Sequence, residues 1–231
     1  MIDLHTHILP QMDDGSQSPQ ETLDMLESLR QQGITTVAAT PHFHADKETP
    51  QAFLERRQEA VARILPADSN QPKLLLGAEV AYFSGIGYCK EIAPLQIGNT
   101  KLILLEMPFG TWSDRIVEDV CRIPQFLGLQ PILAHVNRYH HRHQLPKYID
   151  TFVDAGIYFQ CNTDAFLSPK KQRWAFKLLK SGKIAFLGTD CHNMDDRQPN
   201  MAQARAVIEK KLGADFYTQF QENASALLND L

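Results

Sequence analysis

The chain has 231 residues, of which 43% are hydrophobic and 22% charged, a composition that suits one α/β domain with a buried core. The formal net charge is -4 with no basic stripe, which argues against nucleic acid as a partner. No apolar run approaches the ~20 residues of a membrane span, and the opening Met-Ile-Asp-Leu-His-Thr-His lacks the basic start and apolar stretch of a signal peptide, so the expected location is the cytoplasm, without membrane insertion.

In chain order, short apolar runs alternate with longer amphipathic segments. Ile2–His5 reads as a buried strand and runs into His5-Thr6-His7. Residues two apart on a strand share a face, so both imidazoles can reach one centre. Asp13-Asp14-Gly15 follows in a loop. Helix Pro19–Gln32 starts behind the N-cap candidate Ser18 and stops at Gly33. Strand Thr35–Thr40 leads into Pro41-His42, and helix Gln51–Ile64 follows. Strand Leu74–Val80 contains Gly77-Ala78-Glu79, and strand Leu102–Glu106 closes on its own carboxylate.

The second half repeats the pattern. Helix Asp114–Phe126 precedes strand Ile132–His135, with Arg138 just beyond. Helix Leu145–Asp154, stopped by Gly156, precedes strand Ile157–Cys161, whose end Gln160-Cys161-Asn162 has no ligand-type residue and no assigned role. Helix Pro169–Ser181, stopped by Gly182, precedes strand Ile184–Leu187. That strand runs into Gly188-Thr189-Asp190-Cys191-His192, with Arg197 next and helix Ala202–Lys211 after it. Segment Ala214–Leu231 suits either a packed helix or a contact surface. About seven strand–helix units predict a parallel sheet closed, or nearly closed, into a barrel; an open doubly wound sheet is the alternative.

Nine candidates for metal ligands emerge: His5, His7, Asp14, His42, Glu79, Glu106, His135, Asp190 and His192. Each has an ordinary alternative. A single carboxylate at a strand end is usually a cap or an ion-pair partner, and Asp13-Asp14-Gly15 could be a turn. His44, His140, His141 and His143 read as ordinary surface or core histidines, and Arg138 and Arg197 could be solvated charges. Coincidence separates the set from these alternatives, because six of the seven predicted strands end in a ligand-type residue. A barrel gathers its strand C-termini on one rim, so such residues meet without being close in sequence. Imidazole and carboxylate without thiolate suit Mn²⁺, Fe²⁺ or Zn²⁺, and nine donors suit two or three ions. Clustered ions lower the pKa of a bridging water and hold phosphoryl oxygens, the needs of phosphate-ester hydrolysis. Arg138 and Arg197 would bind the phosphate.

Cys89, Cys121, Cys161 and Cys191 are scattered and read as free thiols. Cys191 and Arg197 do spell C-x₅-R, the spacing of a cysteine phosphatase. Their loop holds Asp195 and Asp196 and no glycine, and those charges would repel a phosphate and raise the thiol pKa.

Taken together, His5-Thr-His7, the Asp-Asp-Gly turn, Thr-Pro-His42, Gly-Ala-Glu79, Glu106, His135 with Arg138-Tyr139, and Thr-Asp190-Cys-His192-Asn resemble the polymerase-and-histidinol-phosphatase (PHP) superfamily. The opening Ile-Asp-Leu-His-Thr-His-Ile-Leu-Pro-Gln-Met-Asp-Asp-Gly is similar to the bacterial capsule and exopolysaccharide protein-tyrosine phosphatases, and the match runs from Met1 to about Leu212. The resemblance implies a distorted (β/α)7 TIM-like barrel and a site of three ions, often manganese. It implies hydrolysis of phosphotyrosine on a protein, typically the tail of a tyrosine kinase that controls polysaccharide export. It also implies a distribution of ligands: His5, His7, Glu79 and Asp190 on one ion; Glu79, Glu106 and His135 on a second; Asp14, His42 and His192 on a third. Arg138 and Arg197 match the phosphate-binding arginines. Cys191 departs from the pattern, standing where a small residue such as Ala is common. Within the superfamily the rival is a small-molecule phosphatase acting on histidinol phosphate or a sugar or nucleotide phosphate. A metal-stabilised module without activity is a further rival, and the completeness of the ligand set argues against it.

Overall fold

The computed structural model describes residues 1–64, 70–139 and 144–229. His140, His141 and His143 lie outside these. The first half contains β1 (Ile2–Thr6), α1 (Pro19–Gln31), β2 (Thr36–Ala39), β3 (His42–Phe43), α2 (Pro50–Ala62), β4 (Lys73–Leu76), β5 (Glu79–Ala81) and β6 (Leu102–Glu106). The second half contains α3 (Asp114–Leu127), β7 (Gln130–Leu133), α4 (Gln144–Asp154), β8 (Tyr158–Asn162), α5 (Asp164–Leu167), α6 (Gln172–Lys180), β9 (Ile184–Gly188), α7 (Met201–Leu212) and α8 (Ala214–Asn229). Among the described residues all strand pairs are parallel, in two runs: β1-β2-β4, and β3-β5-β6-β7-β8-β9.

Local chemistry sets the helix starts. Ser18, extended at φ -149°, accepts the Glu21 N–H, and Pro19 occupies the first turn, where its missing N–H has no cost. Thr49 with Pro50 repeats the arrangement at α2, and Ser113 caps α3, accepting the Ile116 N–H with Asp114 in the first turn.

The expected strand Leu74–Val80 is two strands. Glycine and alanine at 77 and 78 separate β4 from β5, and Pro41, which has no N–H to give, falls between β2 and β3. Backbone bonds bridge these breaks: Thr40 N–H to Thr6 O (2.8 Å), Gly77 N–H to Ala39 O (2.9 Å) and Glu79 N–H to Pro41 O (3.0 Å). The ends of β1 and β9 are also joined. Asp190 N–H donates to His5 O at 2.8 Å, and His7 N–H to Cys191 O at 2.9 Å.

Two apolar clusters explain the near-continuous hydrophobicity of the strands. Leu4, Ala38, Leu102, Leu104, Ile132, Ala134 and Phe186 form one, with Ala224, Leu227 and Leu228 of α8 packed against it. The alternate strand residues, among them Val37, Ile103, Leu105, Leu133, Phe159 and Leu187, join the larger cluster with the helices. Segment Ala214–Leu231 is therefore a packed helix as far as Asn229, and the Gln221 Oε1 accepts the Ile2 N–H at 2.9 Å.

Candidate metal centre

The strand C-terminal ends carry the site, and a register shift in β1 turns its histidines toward the centre. Asp3 pairs with Val37 but Thr6 with Ala39, so three residues of β1 span two of β2. Such an irregularity changes which face a strand presents. Leu4 packs into the inner cluster, yet His5 and His7 both reach the polar centre. Neighbouring strands need no such device. His42 is level with Glu79, and Glu79 with Leu104, two residues before Glu106 on the same face.

Glu79 lies at the middle and is 1% exposed. Its Oε2 is 3.1 Å from His5 Nε2, 3.3 Å from His7 Nε2 and 3.0 Å from His42 Nδ1. Its Oε1 is 2.9 Å from His135 Nε2, which is also 3.1 Å from Glu106 Oε1. Asp190 Oδ1 faces His7 Nε2 (3.4 Å), His5 Nε2 (3.6 Å) and His192 Nδ1 (3.6 Å). Asp14 is the exposed member, 66% accessible, with Oδ1 3.5 Å from His192 Nε2 and 3.7 Å from His42 Nε2. All nine expected ligands thus meet on one rim. Both arginines reach the same place: Arg138 pairs with Asp190 Oδ2, and Arg197 donates to Asp190 Oδ1 at 2.9 Å.

Among the described residues, three groups of donor atoms fall within 4.8 Å of one another: His7, Asp14, His42 and His192; His5, His7 and Asp190; and His42, Glu79 and Glu106. The donors fit divalent cations. Nε2 of His5 and Nε2 of His7 are only 3.0 Å apart, both aimed at carboxylate oxygens. Buried His192 Nε2 has no hydrogen-bond partner. The grouping differs from the implied one in detail. His7 joins the Asp14 group, and His42 joins the two glutamates that His135 touches.

Electrostatics follow burial and charge. Burial alone would lower the His7 pKa, but the Asp13 carboxylate, with Asp190 and Glu79, holds it well above 6.5. His135 is likewise raised against its burial by Glu106 and Glu79. His192 goes the other way, lowered to about 4 by burial and by the His7 charge. Burial opposes ionisation of Glu79 and Asp190, yet the surrounding imidazoles, His5 foremost, keep both carboxyls well below their usual range.

Four residues outside the expected set support it. Asp13 Oδ2 accepts from His7 Nδ1 and from the His42 N–H, both at 2.7 Å. Asp3, pushed up to about 6 by burial, binds the Thr189 N–H (2.9 Å) and hydroxyl (2.6 Å) and the His5 N–H (3.3 Å), clipping β1 to the loop after β9. Gln160 and Asn162 bring β8 into the centre, so the strand left without a role has one: Gln160 Oε1 accepts the His135 N–H at 2.6 Å, and Asn162 Nδ2 donates to Asp190 Oδ2 at 2.7 Å. Period-two placement of buried amides on β8 was the available signal. His135 (φ 33°) and Asp190 (φ 55°) adopt left-handed backbone, uncommon without glycine and typical of functional positions.

Cys191 does not belong to the site. Its buried side chain joins the apolar cluster, and burial, then the nearby Asp3, push the thiol well above its usual pKa. Asn193 Oδ1 takes the Asp195 N–H (2.9 Å) and the Arg197 N–H (3.0 Å), so these amides do not cradle an anion at Cys191.

The family model described as capsular polysaccharide synthesis, CpsB/CapC, matches residues 1–229. The chain belongs to this family. Among CpsB/CapC relatives, tyrosine-protein phosphatase YwqE of Bacillus subtilis (strain 168) is 29% identical over 238 residues, covering 100% of this chain and 92% of the relative. Tyrosine-protein phosphatase CpsB of Streptococcus agalactiae serotype III is 27% identical over 243 residues, covering 100% of this chain and 99% of the relative. The fold superposes with a TM-score of 0.84 on a crystal structure from work on YwqE of Bacillus subtilis and CpsB of Streptococcus pneumoniae, described as unique metal-dependent tyrosine phosphatases. That match has 27% identity and covers 99% of this chain and 94% of the other.

Proposed function

We propose that this CpsB/CapC member is a metal-dependent protein-tyrosine phosphatase. The observation that carries the reading is the convergence of five imidazoles and four carboxylates, from strand ends and the loop after β1, on one centre beside two arginines. His5, His7, Asp14, His42, Glu79, Glu106, His135, Asp190 and His192 would hold two or three ions. Mn²⁺ is the proposed metal, and Fe²⁺ and Zn²⁺ suit the same donors. Bound there, divalent ions supply an activated water and a clamp for phosphoryl oxygens. Arg138 and Arg197 would turn from Asp190 to the phosphate, where guanidinium pairs bidentately. Phe109, 44% exposed, stacks on the ring of His135 at 6.0 Å and offers an apolar surface beside the centre, which suits an aryl ester.

The proposed substrate is a phosphotyrosine protein, in particular the tail of a bacterial tyrosine kinase serving capsule or exopolysaccharide synthesis. Four free cysteines, two of them buried, suit the reducing cytoplasm, and among the described residues no helix is long and apolar enough to cross a membrane. The parallel bridge between Thr6 and Cys191 supports closure of the sheet into a distorted (β/α)7 barrel, a single domain over residues 1–231. Side-by-side kinetics on a phosphotyrosine peptide and on histidinol phosphate test the assignment. The peptide is expected to be the better substrate by kcat/KM; preference for histidinol phosphate would move the reading to a small-molecule phosphatase.

A further inference from the structure

Gln160 is fully buried at the foot of the site, and a backbone group fixes its orientation. The N–H of His135 can only donate, so the atom 2.6 Å from it must be the amide oxygen of Gln160. The same oxygen lies 3.3 Å from His5 Nδ1, and an oxygen there requires Nδ1 to carry the proton. With Nδ1 committed to Gln160, His5 presents Nε2 to Glu79 Oε2 and Asp190 Oδ1. On its other side, the Gln160 amide nitrogen donates to Asn162 Oδ1 at 3.0 Å. Asn162 must therefore turn its own nitrogen to Asp190 Oδ2, at 2.7 Å. Asn162 is held in place by its backbone N–H, which donates to Asn137 Oδ1 at 2.9 Å. The relay has one direction throughout, and it ties three candidate ligands from β1, β7 and β9 to one strand.

We infer that Gln160 and Asn162 are positioning residues that set the metal-binding tautomer of His5 and the orientation of Asp190. This rests on the reading of the site as a metal centre. His5 in β1 and His7 just beyond it are supported differently: His7 by the Asp13 carboxylate, His5 by this neutral amide. A carboxylate in place of Gln160 would keep the shape but face Asn162 Oδ1 with an acceptor. Asn162 would have to flip, setting its oxygen against Asp190. Partners that orient a ligand typically account for about 10–100-fold in metal affinity.

The test uses Gln160→Glu and Gln160→Met, purified, stripped with chelator and titrated with MnCl₂ against a competing indicator. Bound Mn²⁺ is counted by electron paramagnetic resonance, and unfolding is followed with chelator present. The inference predicts that both variants fold without metal yet bind Mn²⁺ about 10–100-fold more weakly than the parent chain. Affinity within twofold of the parent in either folded variant would overturn it. Should neither variant fold, Asn162→Ser carries the test, since it removes both the donor to Asp190 and the acceptor of the Gln160 amide; unchanged Mn²⁺ affinity there would overturn the relay. A parent chain that binds no Mn²⁺, Fe²⁺ or Zn²⁺ would instead refute the metal-centre reading.

Discussion

Asp13 holds the Nδ1 of His7 at 2.7 Å, and the same carboxylate oxygen accepts the His42 N–H at 2.7 Å. One residue of the Asp-Asp-Gly turn therefore orients two candidate ligands from different strands, while its neighbour Asp14 faces the centre itself. Burial opposes ionisation of Asp13, but the His7 charge and the backbone N–H groups of His42 and Gly15 hold its carboxyl well below the usual range. Asp13→Asn keeps the size and loses the charge. It is expected to weaken divalent-metal binding about 10–100-fold, read by chelator competition, with a lower metal-free Tm at neutral pH. An unchanged affinity would remove Asp13 from the site.

Metal uptake should release protons. His7, His42 and His135 all have pKa values raised above 6.5 in the metal-free chain; for His42, burial pulls the pKa down, and Glu79 and Asp13 together more than offset it. Their protonated forms stabilise the metal-free fold fully below pH 6.5, a contribution lost as pH rises through the raised values. His192, lowered to about 4, acts oppositely: its contribution is present above 6.5 and lost as pH falls toward 4. A metal ion must displace the protons on the raised imidazoles, so apparent affinity should rise with pH across and above 6.5. Calorimetry at pH 7 in two buffers of different ionisation enthalpy would register that release; identical heats in both would contradict it.

Gly188 has no room for a side chain. A Cβ there would lie 2.5 Å from His5 Cβ and 2.8 Å from the Gln160 amide nitrogen. Gly188→Ala must displace His5 or strain β9, at a cost of about 1–3 kcal/mol, or roughly 2–12 °C in Tm for a chain of this size. Metal content should fall with it. A variant with parental Tm and metal content would show that the strand ends yield more readily than the packing implies.

Cys191→Ser should leave phosphatase activity within a few-fold of the parent. The thiol is buried in the apolar cluster with its pKa pushed up, so the substitution costs packing rather than a nucleophile. Loss of activity in a folded, metal-loaded variant would return the cysteine mechanism to consideration.

The candidate ligands were legible because six of the seven expected strands carry a donor-type residue at the same end, where the apolar period breaks off. His5, Glu106 and Asp190 stand out by that position only because so many strands repeat it. The breaks at Pro41 and Gly77 were not, since Leu74–Ala78 is apolar throughout and its ladder partners set where pairing lapses. Gln160 and Asn162 were missed for a chemical reason. Neutral amides are ambiguous in sequence, and their role appears only when a fixed backbone donor, the His135 N–H, decides which way they point. The register shift in β1 that turns His5 and His7 inward depends equally on its pairing with β2. How the nine donors divide among ions is a matter of side-chain distances, which the order of motifs along the chain does not encode.

The central claim is tested most directly by stripping the protein with chelator and assaying a phosphotyrosine peptide as Mn²⁺ is returned. The account predicts that activity disappears on stripping and is restored by Mn²⁺ in the parent but not in His42→Ala or His135→Ala. Turnover that persists in the stripped protein would contradict it.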